Sequence, residues 1–372
     1  IRRQRQMCIR DRYNAPGLPI SWNKNQYQEG TNEYVAVRPE LKKQIEELYR
    51  KHPEEARDSF GEDPFEVKNI LKYWVFSEKP EFHVIPTDTI NIHIDKDALL
   101  RSGIMFPKTI RHLKGEDLKD AIPDKLYIPL TDIRMLTKVD LLMLEMLANC
   151  NWERPLYLAI SVGSVSKLKF DNYFVQEGLA FRFTPFDYKK WGDVGENRLY
   201  AVDVERLYDN VMNRYKYGGL DTPGLYLDET TLRTCWYHRR LFAQLAKELI
   251  AQGDNERAKK VLAYAEQVIP GYNVPETHES GSYDIATAYA TLGEKTKAVT
   301  LAVHLIAEAE DYINWAFSLK GNRIEMVRND CIYKFWQWNQ YNELLKKIDG
   351  EKYKESNRQF EEKYALFAPT MS

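Results

Sequence analysis

The chain has 372 residues, with 53 Lys or Arg against 55 Asp or Glu, so its formal net charge is −2. This balance argues against a basic groove for nucleic acid, and no nucleic-acid partner is predicted. Apolar residues make up 44% of the chain, which is enough for folded cores. No apolar stretch approaches the ~20 residues of a membrane-spanning helix, and the length predicts roughly two to three domains.

The first twelve residues, IRRQRQMCIRDR, are basic and lack the apolar segment of a secretory signal peptide. The string MCIRDR resembles the conceptual translation of a sequencing adapter, a contaminant of reading frames assembled from shotgun reads. We therefore expect residues 1–12 to be non-native and the natural protein to extend upstream of Tyr13.

Residues 13–200 alternate short β-like runs with helical runs, which is typical of a mixed α/β domain. Alternation and β-branched residues predict six strands: Glu33–Val37, Glu81–Ile85, Thr89–Ile94, Leu126–Leu130, Leu156–Val162 and Gly178–Thr184. Helical spacing predicts helices at Leu41–Arg50 and Val139–Leu147, and Thr137 with Asp140 fits a capping box before the second one.

Turn and charge signals complete this first region. Pro-Thr-Asp at positions 86–88 predicts a turn, and therefore a β-hairpin over Glu81–Ile94. The charged segments Arg57–Glu66 and Lys114–Asp124 are expected to be solvated loops.

After residue 200 the β-like alternation stops, and Ala, Leu, Glu, Lys and aromatic residues follow at helical spacing. This change predicts an all-α helical-repeat domain over residues 201–372. Its first helix is predicted at Val204–Tyr215, and a turn at Thr222–Gly224 separates that helix from longer ones. The expected fold class is thus α+β.

Residues in the second region recur in the order of a tetratricopeptide-like helix pair. The first copy comprises Phe242, Leu245, Ala246, Leu249, Gly253, Ala258, Leu262, Ala265 and Pro270. The second comprises Ile285, Ala286, Tyr289, Gly293, Ala298 and Ala302, and its extra spacing falls in the loop Gly271–Gly281. A degenerate third unit runs from Ile324 through Trp336, Trp338, Leu344 and Leu345 to Lys352–Phe367. Three stacked pairs can bury a continuous core.

The sequence offers little recognisable chemistry. It has no phosphate-binding Gly-rich loop, no H-E-x-x-H helix and no G-x-S-x-G elbow. Its histidines are isolated from one another, its cysteines form no C-x-x-C pair, and the carboxylates Asp203, Glu205 and Asp209 do not share one helix face. We therefore predict no catalytic residue, no metal site and no cofactor.

Aromatic residues are abundant, with 15 Phe, 8 Trp and 24 Tyr. Tyr and Trp beside polar side chains suit a sugar platform, because an aromatic face stacks on C–H surfaces while polar groups bind hydroxyls. The simpler interpretation is that most of them, including Trp336 and Trp338, fill the core and the spaces between helices.

Three segments carry a family resemblance: Asn149–Ser161 (NCNWERPLYLAIS), Tyr173–Phe183 (YFVQEGLAFRF) and Leu207–Leu220 (LYDNVMNRYKYGGL). From about Gly17 to its end, the chain resembles the C-terminal region of bacterial inner-membrane proteins of the protein O-mannosyltransferase-like family, long described as a domain of unknown function. The resemblance implies an N-terminal multi-span half of GT-C glycosyltransferase type, which holds the catalytic carboxylate, followed by a soluble region that ends in tetratricopeptide-like helices.

The motif Asn151–Pro155 has two interpretations. As a helix-to-strand connection, Glu153 and Arg154 pair or cap the helix end, and Pro155 prevents the helix from continuing. Alternatively, Trp152, Glu153 and Arg154 dock onto the membrane half or contact an acceptor, and these three are the candidate binding residues.

Three functions follow as hypotheses. In the first, the chain is an extracytoplasmic scaffolding or acceptor-binding region of a membrane-bound glycosyltransferase-like protein. Its partners are then its own membrane half, absent here, and a protein or glycan acceptor, with the intact protein in the inner membrane and this region facing the periplasm. In the second, it is a free-standing or lipid-anchored glycan-binding helical-repeat protein. In the third, which the β-rich first half disfavours, it is an intracellular adaptor.

Overall fold

The computed structural model describes residues 34–162, 168, 170–195, 200–319 and 323–368, so segment 1–12 lies outside the described residues. The fold is α+β, as predicted, with the strands in the N-terminal half and a mostly helical C-terminal region. The chain divides into two compact units, Ile1–Gln176 with Ala180–Ala201 and Glu177–Leu179 with Val202–Ser372. None of the helices in the described part of the chain combines the length and apolar character that a bilayer crossing requires.

The first unit holds short strands and short helices. The strands, including one at the end of this unit, are β1 (Tyr34–Val37), β2 (Val84–Ile85), β3 (Thr89–His93), β4 (Lys125–Pro129), β5 (Met135–Thr137), β6 (Tyr157–Ala159), β7 (Phe174–Gln176), β8 (Ala180–Phe183) and β9 (Ala201–Val202). The helices are α1 (Leu41–Lys51), α2 (Pro53–Phe60), α3 (Val67–Ile70), α4 (Lys96–Arg101), α5 (Gly115–Ala121) and α6 (Lys138–Asn149).

The strands form three small sheets with the orders β2-β1-β5, β3-β4 and β6-β8-β7-β9. In the second sheet, β3 and β4 pair antiparallel in the register Asn91 with Tyr127. One apolar core connects the sheets with α1, α3, α4 and α6, and its members include Ile90, Leu136 and Leu144. Helices and loops pack against these short strands and complete the burial.

Several local predictions for this unit are confirmed. Strands β1, β3, β4, β6 and β8 and helices α1 and α6 overlap the predicted segments. The capping box also forms, because Asp140 N donates to Thr137 Oγ1 and Thr137 N donates to Asp140 Oδ2. It satisfies amide groups at the start of α6 that otherwise lack a partner.

The predicted hairpin over Glu81–Ile94 is wrong. Its first part contains a single 3-10 turn at Pro80–Phe82 and then β2, which pairs parallel with β1 so that Ile85 lies opposite Val37. Strand β3 instead pairs with β4 in another sheet. The residues at 86–88 predict a turn, but a turn does not determine which distant strands pair with β2 and β3.

Both predicted solvated loops contain helices. Helix α2 begins at Pro53, carries Glu54 and Glu55 in its first turn, and ends at Gly61 with φ of 83°. These are helix start and stop signals that the charge of the segment obscured. Helix α5 fully buries none of its residues, and only Leu118 and Ala121 pack partly against the core, so its apolar pattern is too short to predict a helix.

The second unit is helical. Its elements are α7 (Val204–Asp209), α8 (Glu229–Ala251), α9 (Asn255–Val268), α10 (Ser282–Thr291), α11 (Lys295–Ser318), α12 (Arg323–Met326), α13 (Arg328–Ile348) and α14 (Gly350–Phe367). A π-helical turn, Asn210–Arg214, ends the first helix. Helix pairs α8–α9, α10–α11 and α13–α14 correspond to the three predicted repeats.

The repeat positions have the predicted roles. Phe242, Ala246, Ala258 and Leu262 are buried between α8 and α9, and Ala286 and Ala302 are buried at matching positions of the second pair. Gly253 and Gly293 turn the two corners with φ of 80° and 81°. This left-handed backbone costs other residues about 1–2 kcal/mol, which explains glycine at both corners.

Candidate functional site

The Asn151–Pro155 motif forms a strained corner after α6 in the first unit. Asn151 and Trp152 both have left-handed backbone, with φ of 48° and 61°. The indole of Trp152 is 6% exposed, and its Nε1 donates a hydrogen bond to His93 O at 2.9 Å. Its ring stacks at 21° on Phe183 with 6.3 Å between centroids. Trp152 is therefore a core residue that attaches this corner to β3 and β8.

Glu153 and Arg154 are exposed, in contrast to Trp152. Their backbone N–H groups donate to Cys150 O, at 3.2 and 3.4 Å, which prolongs the helix end by one turn before Pro155. The small cavity beside them has a volume of about 10 Å³ and is lined by Trp152, Arg154 and Arg182, among others. It has room for about one water molecule, not for a ligand. The motif thus supplies a structural connection, and docking by Glu153 and Arg154 stays a prediction.

The second unit contains a cavity of about 350 Å³ between α9, α10 and α11, lined in part by Leu262, Ile285 and Leu301. Glu266 lies among its polar groups, where its Oε1 accepts hydrogen bonds from Tyr289 Oη at 2.5 Å and Lys297 Nζ at 3.0 Å. Burial and the neighbouring Glu266 carboxylate raise the pKa of Tyr289 well above its usual range. The tyrosine is therefore a hydrogen-bond donor here and not a base.

Arg239 lines the same cavity but is committed to the fold. Its guanidinium donates to Val274 O at 2.6 Å, Pro275 O at 2.8 Å and Ile269 O at 3.0 Å. Burial lowers its pKa to about 10, so it stays charged at neutral pH. Arg239 therefore anchors the loop between α9 and α10, which is the insertion predicted within the second repeat.

An aromatic cluster forms where that loop meets α10 and α13. We define it by five residues: His278, Tyr283, Tyr333, Trp336 and Tyr341. His278 occupies the centre, stacked at 18° on Tyr283, and its Nδ1 lies 2.8 Å from Tyr341 Oη. Burial lowers the pKa of His278. The cluster brings together residues from three separate segments of the chain.

The outer rings of the aromatic cluster reach the surface. Tyr333 and Trp336 are 44% and 49% exposed, whereas Trp338, two residues further along the helix, is fully buried against α14 and donates from Nε1 to Ser356 Oγ at 2.8 Å. The expectation that both tryptophans fill the core is therefore correct for Trp338 and wrong for Trp336. Helical spacing alone does not separate them, because the burial of each depends on which neighbouring helix it meets.

The carboxylates of α7 have structural roles. Asp203 caps the helix, since its Oδ1 accepts from Arg206 N at 3.0 Å. Glu205 accepts two bonds from the Arg257 guanidinium, each at 2.8 Å, and that guanidinium lowers the pKa of Glu205. Across the described residues, His, Cys, Asp and Glu side chains form no group of three that could hold a metal ion.

Comparison with known proteins gives one result. A family model described as TMEM260-associated domain 2 matches residues 5–205. The match starts within segment 1–12, includes the Asn151–Pro155 corner, and ends within α7, before the helix pairs of the second unit. No curated protein and no solved structure has a significant match to the chain. Because the matched residues exceed half of the 372 in the chain, the protein belongs to the TMEM260-associated domain 2 family.

Proposed function

We propose that this chain is the extracytoplasmic C-terminal region of a membrane-bound, protein O-mannosyltransferase-like protein, in which it binds the acceptor or acts as a scaffold. The observation that carries the proposal is membership of the TMEM260-associated domain 2 family, which suggests a relation to a glycosyltransferase-like membrane protein family. In this proposal the catalytic carboxylate belongs to a membrane half of GT-C type. The intact protein lies in a bacterial inner membrane, and this region faces the periplasm.

A binding role agrees with the described residues. Helical repeats present extended surfaces on which partners are bound, and Tyr333 and Trp336 of the aromatic cluster are exposed on one helix of the predicted repeats. In the 350 Å³ cavity, Glu266 is held by Tyr289 and Lys297, and Arg239 is bonded to the loop between α9 and α10. In this proposal exposed Glu153 and Arg154 are the candidate residues for docking to the membrane half.

The catalytic part of the proposal is tested by a transfer assay. The 372-residue chain is incubated with polyprenyl-phosphate-linked mannose and acceptor peptides, and mannosylated peptide is measured by mass spectrometry. We expect no transfer above the protein-free control. Transfer by the chain alone contradicts the assignment of catalysis to a separate membrane half.

The architectural part is tested by reading the coding sequence upstream of the chain in its source and the hydropathy of its translation. Many consecutive membrane spans support the proposal. A short signal segment with a lipidation cysteine favours the second candidate instead, a free-standing or lipid-anchored glycan-binding protein. The exposed rings of Tyr333 and Trp336 are the observation that keeps this second candidate open.

A further inference from the structure

The aromatic pair Tyr333 and Trp336 on α13 is only partly covered by its contacts with His278. The rings of Tyr333 and Trp336 are nearly parallel, with 12° between their planes and 5.6 Å between their centroids. Each ring keeps close to half of its surface in water. Clustered apolar surface of this kind marks interaction sites more often than isolated exposed residues do.

The Tyr333 and Trp336 rings are held in place by His278, which packs against both of them. His278 meets Tyr333 at 84° and Trp336 at 74°, with centroid distances of 6.0 and 5.6 Å, so the imidazole supports both rings edge to face. His278 is itself fixed by its hydrogen bond to Tyr341, which is almost fully buried. A ligand that stacks on the pair therefore loses little side-chain entropy, because the rings are already ordered.

The polar groups beside the pair determine which ligand fits. Gln337 Nε2 donates to Glu279 Oε1 at 3.2 Å, and Lys334 Nζ lies 3.2 Å from Glu308 Oε1. The lowered pKa of His278 leaves the imidazole neutral near pH 7. Because Lys334 is paired with Glu308, this surface disfavours phosphate, sulfate and nucleic acid, while partly exposed Glu279 offers carboxylate oxygens to a ligand with hydroxyl donors.

We infer that Tyr333 and Trp336 form a carbohydrate subsite, on which the C–H face of a neutral hexose stacks while the polar rim binds its hydroxyls. A sugar meets both halves of this surface, since it presents an apolar face to the rings and hydroxyl groups to Glu279. This inference rests on the proposed function and gives its acceptor-binding surface a ligand class. A basic peptide would pair with the carboxylates and place an Arg or Lys side chain over the rings, so it is the competing occupant.

The test is a calorimetric titration of the 372-residue chain with α-linked mannotriose, maltotriose and, separately, an Arg-rich peptide. We expect saturable binding of at least one oligosaccharide. Trp336→Ala and Tyr333→Ala are each expected to weaken that binding about tenfold or more, because each removes a stacking face. Both rings are exposed, so the variants should keep the melting temperature of the wild type within a few degrees, about the effect of a small surface change.

A matched control is available in the same unit. Trp315 on α11 is also 49% exposed, but its neighbour Tyr312 is tilted at 58° to it and the two rings offer no common face. Trp315→Ala is therefore expected to leave the affinity unchanged. The inference is overturned if the chain binds no oligosaccharide or binds the peptide alone. It is also overturned if Trp336→Ala keeps the wild-type affinity, or if Trp315→Ala lowers the affinity as much as Trp336→Ala does.

Failure of this inference and failure of the proposed function give different results. A chain that lies downstream of many membrane spans yet binds no sugar keeps the proposed function and loses the subsite. A chain that binds mannotriose through Trp336 but has only a signal segment upstream keeps the subsite and loses the proposed function.

Discussion

Trp152 Nε1 donates a hydrogen bond to the backbone carbonyl of His93 at 2.9 Å, although 59 residues separate the two in the sequence. The contact attaches the corner after α6 to the end of β3. It gives the most specific motif of the sequence a structural reason, because a tryptophan supplies both the buried surface and the N–H donor that this position uses. Neighbouring Glu153 and Arg154, in contrast, have exposed side chains.

Trp152→Phe should therefore destabilise the protein, whereas Glu153→Ala and Arg154→Ala should not. The phenylalanine keeps an aromatic ring but removes the hydrogen bond and part of the buried surface, so we expect a loss of about 1–2 kcal/mol in the free energy of unfolding. The two alanine variants should change it by less than about 0.5 kcal/mol. Urea denaturation followed by circular dichroism measures all three. Equal losses in the three variants would show that the motif acts as one structural unit.

Arg239 offers a sharper contrast with its neighbour Arg240. Arg239→Met leaves three carbonyls at the end of α9 and in the loop after it, two of them buried, without their donor, and we expect a loss of about 3 kcal/mol or more. Arg240 is exposed and lies over the Tyr237 ring at 4.6 Å, so Arg240→Met should cost about 1 kcal/mol or less. Denaturation curves measure the free energy of unfolding of the two variants and of the wild type. Similar costs for the two variants would mean that the loop does not depend on Arg239.

Substitutions at two glycines with the same backbone conformation distinguish the cost of backbone strain from the cost of steric crowding. Gly253 and Gly281 have φ of 80° and 84°, but an added Cβ meets nothing within 4 Å at Gly253 and lies 2.8 Å from Arg240 Cγ at Gly281. Gly253→Ala should cost about 1–2 kcal/mol for the left-handed backbone. Gly281→Ala should cost about 1 kcal/mol more, and adding Arg240→Ala should recover part of that excess. If the two glycine variants melt at the same temperature, the crowding argument is wrong.

The sequence predicted those features whose signals are local. The corner glycine Gly253 and the small residue Ala246 reveal a helix pair because all the residues of that pair lie close together in the chain. The capping box at Thr137 was predictable for the same reason. Strand partners were not, since β2 finds β1 across 46 intervening residues and no turn signal encodes that pairing.

The aromatic cluster could not be predicted from local sequence signals. His278 comes from the loop before α10, Tyr283 from that helix, and Trp336 from α13, so their meeting depends on how successive repeats stack. The sequence did indicate the composition of a sugar platform and an insertion at Gly271–Gly281. It did not show that this insertion carries the histidine that supports the exposed rings.

Stability should fall as the pH is lowered through the range of histidine titration. Burial lowers the pKa of His238 and of His278 in the folded protein, while the unfolded chain has histidines with a pKa of about 6.5. Below that value the unfolded state takes up protons that the folded state does not, so the free energy of unfolding decreases until the folded groups also titrate.

His238→Gln isolates this effect. His238 is packed edge to face against Tyr215 and Tyr217, and its Nδ1 is buried without a hydrogen-bond partner among the described residues. The variant should be less stable than the wild type near neutral pH, because the packing is disturbed, but its stability should decline less between about pH 7 and pH 5.5. His112→Gln, at an exposed position, should retain the decline of the wild type. Melting temperatures across this range measure the slopes, and parallel profiles for wild type and His238→Gln would exclude His238 as a source of the acid sensitivity.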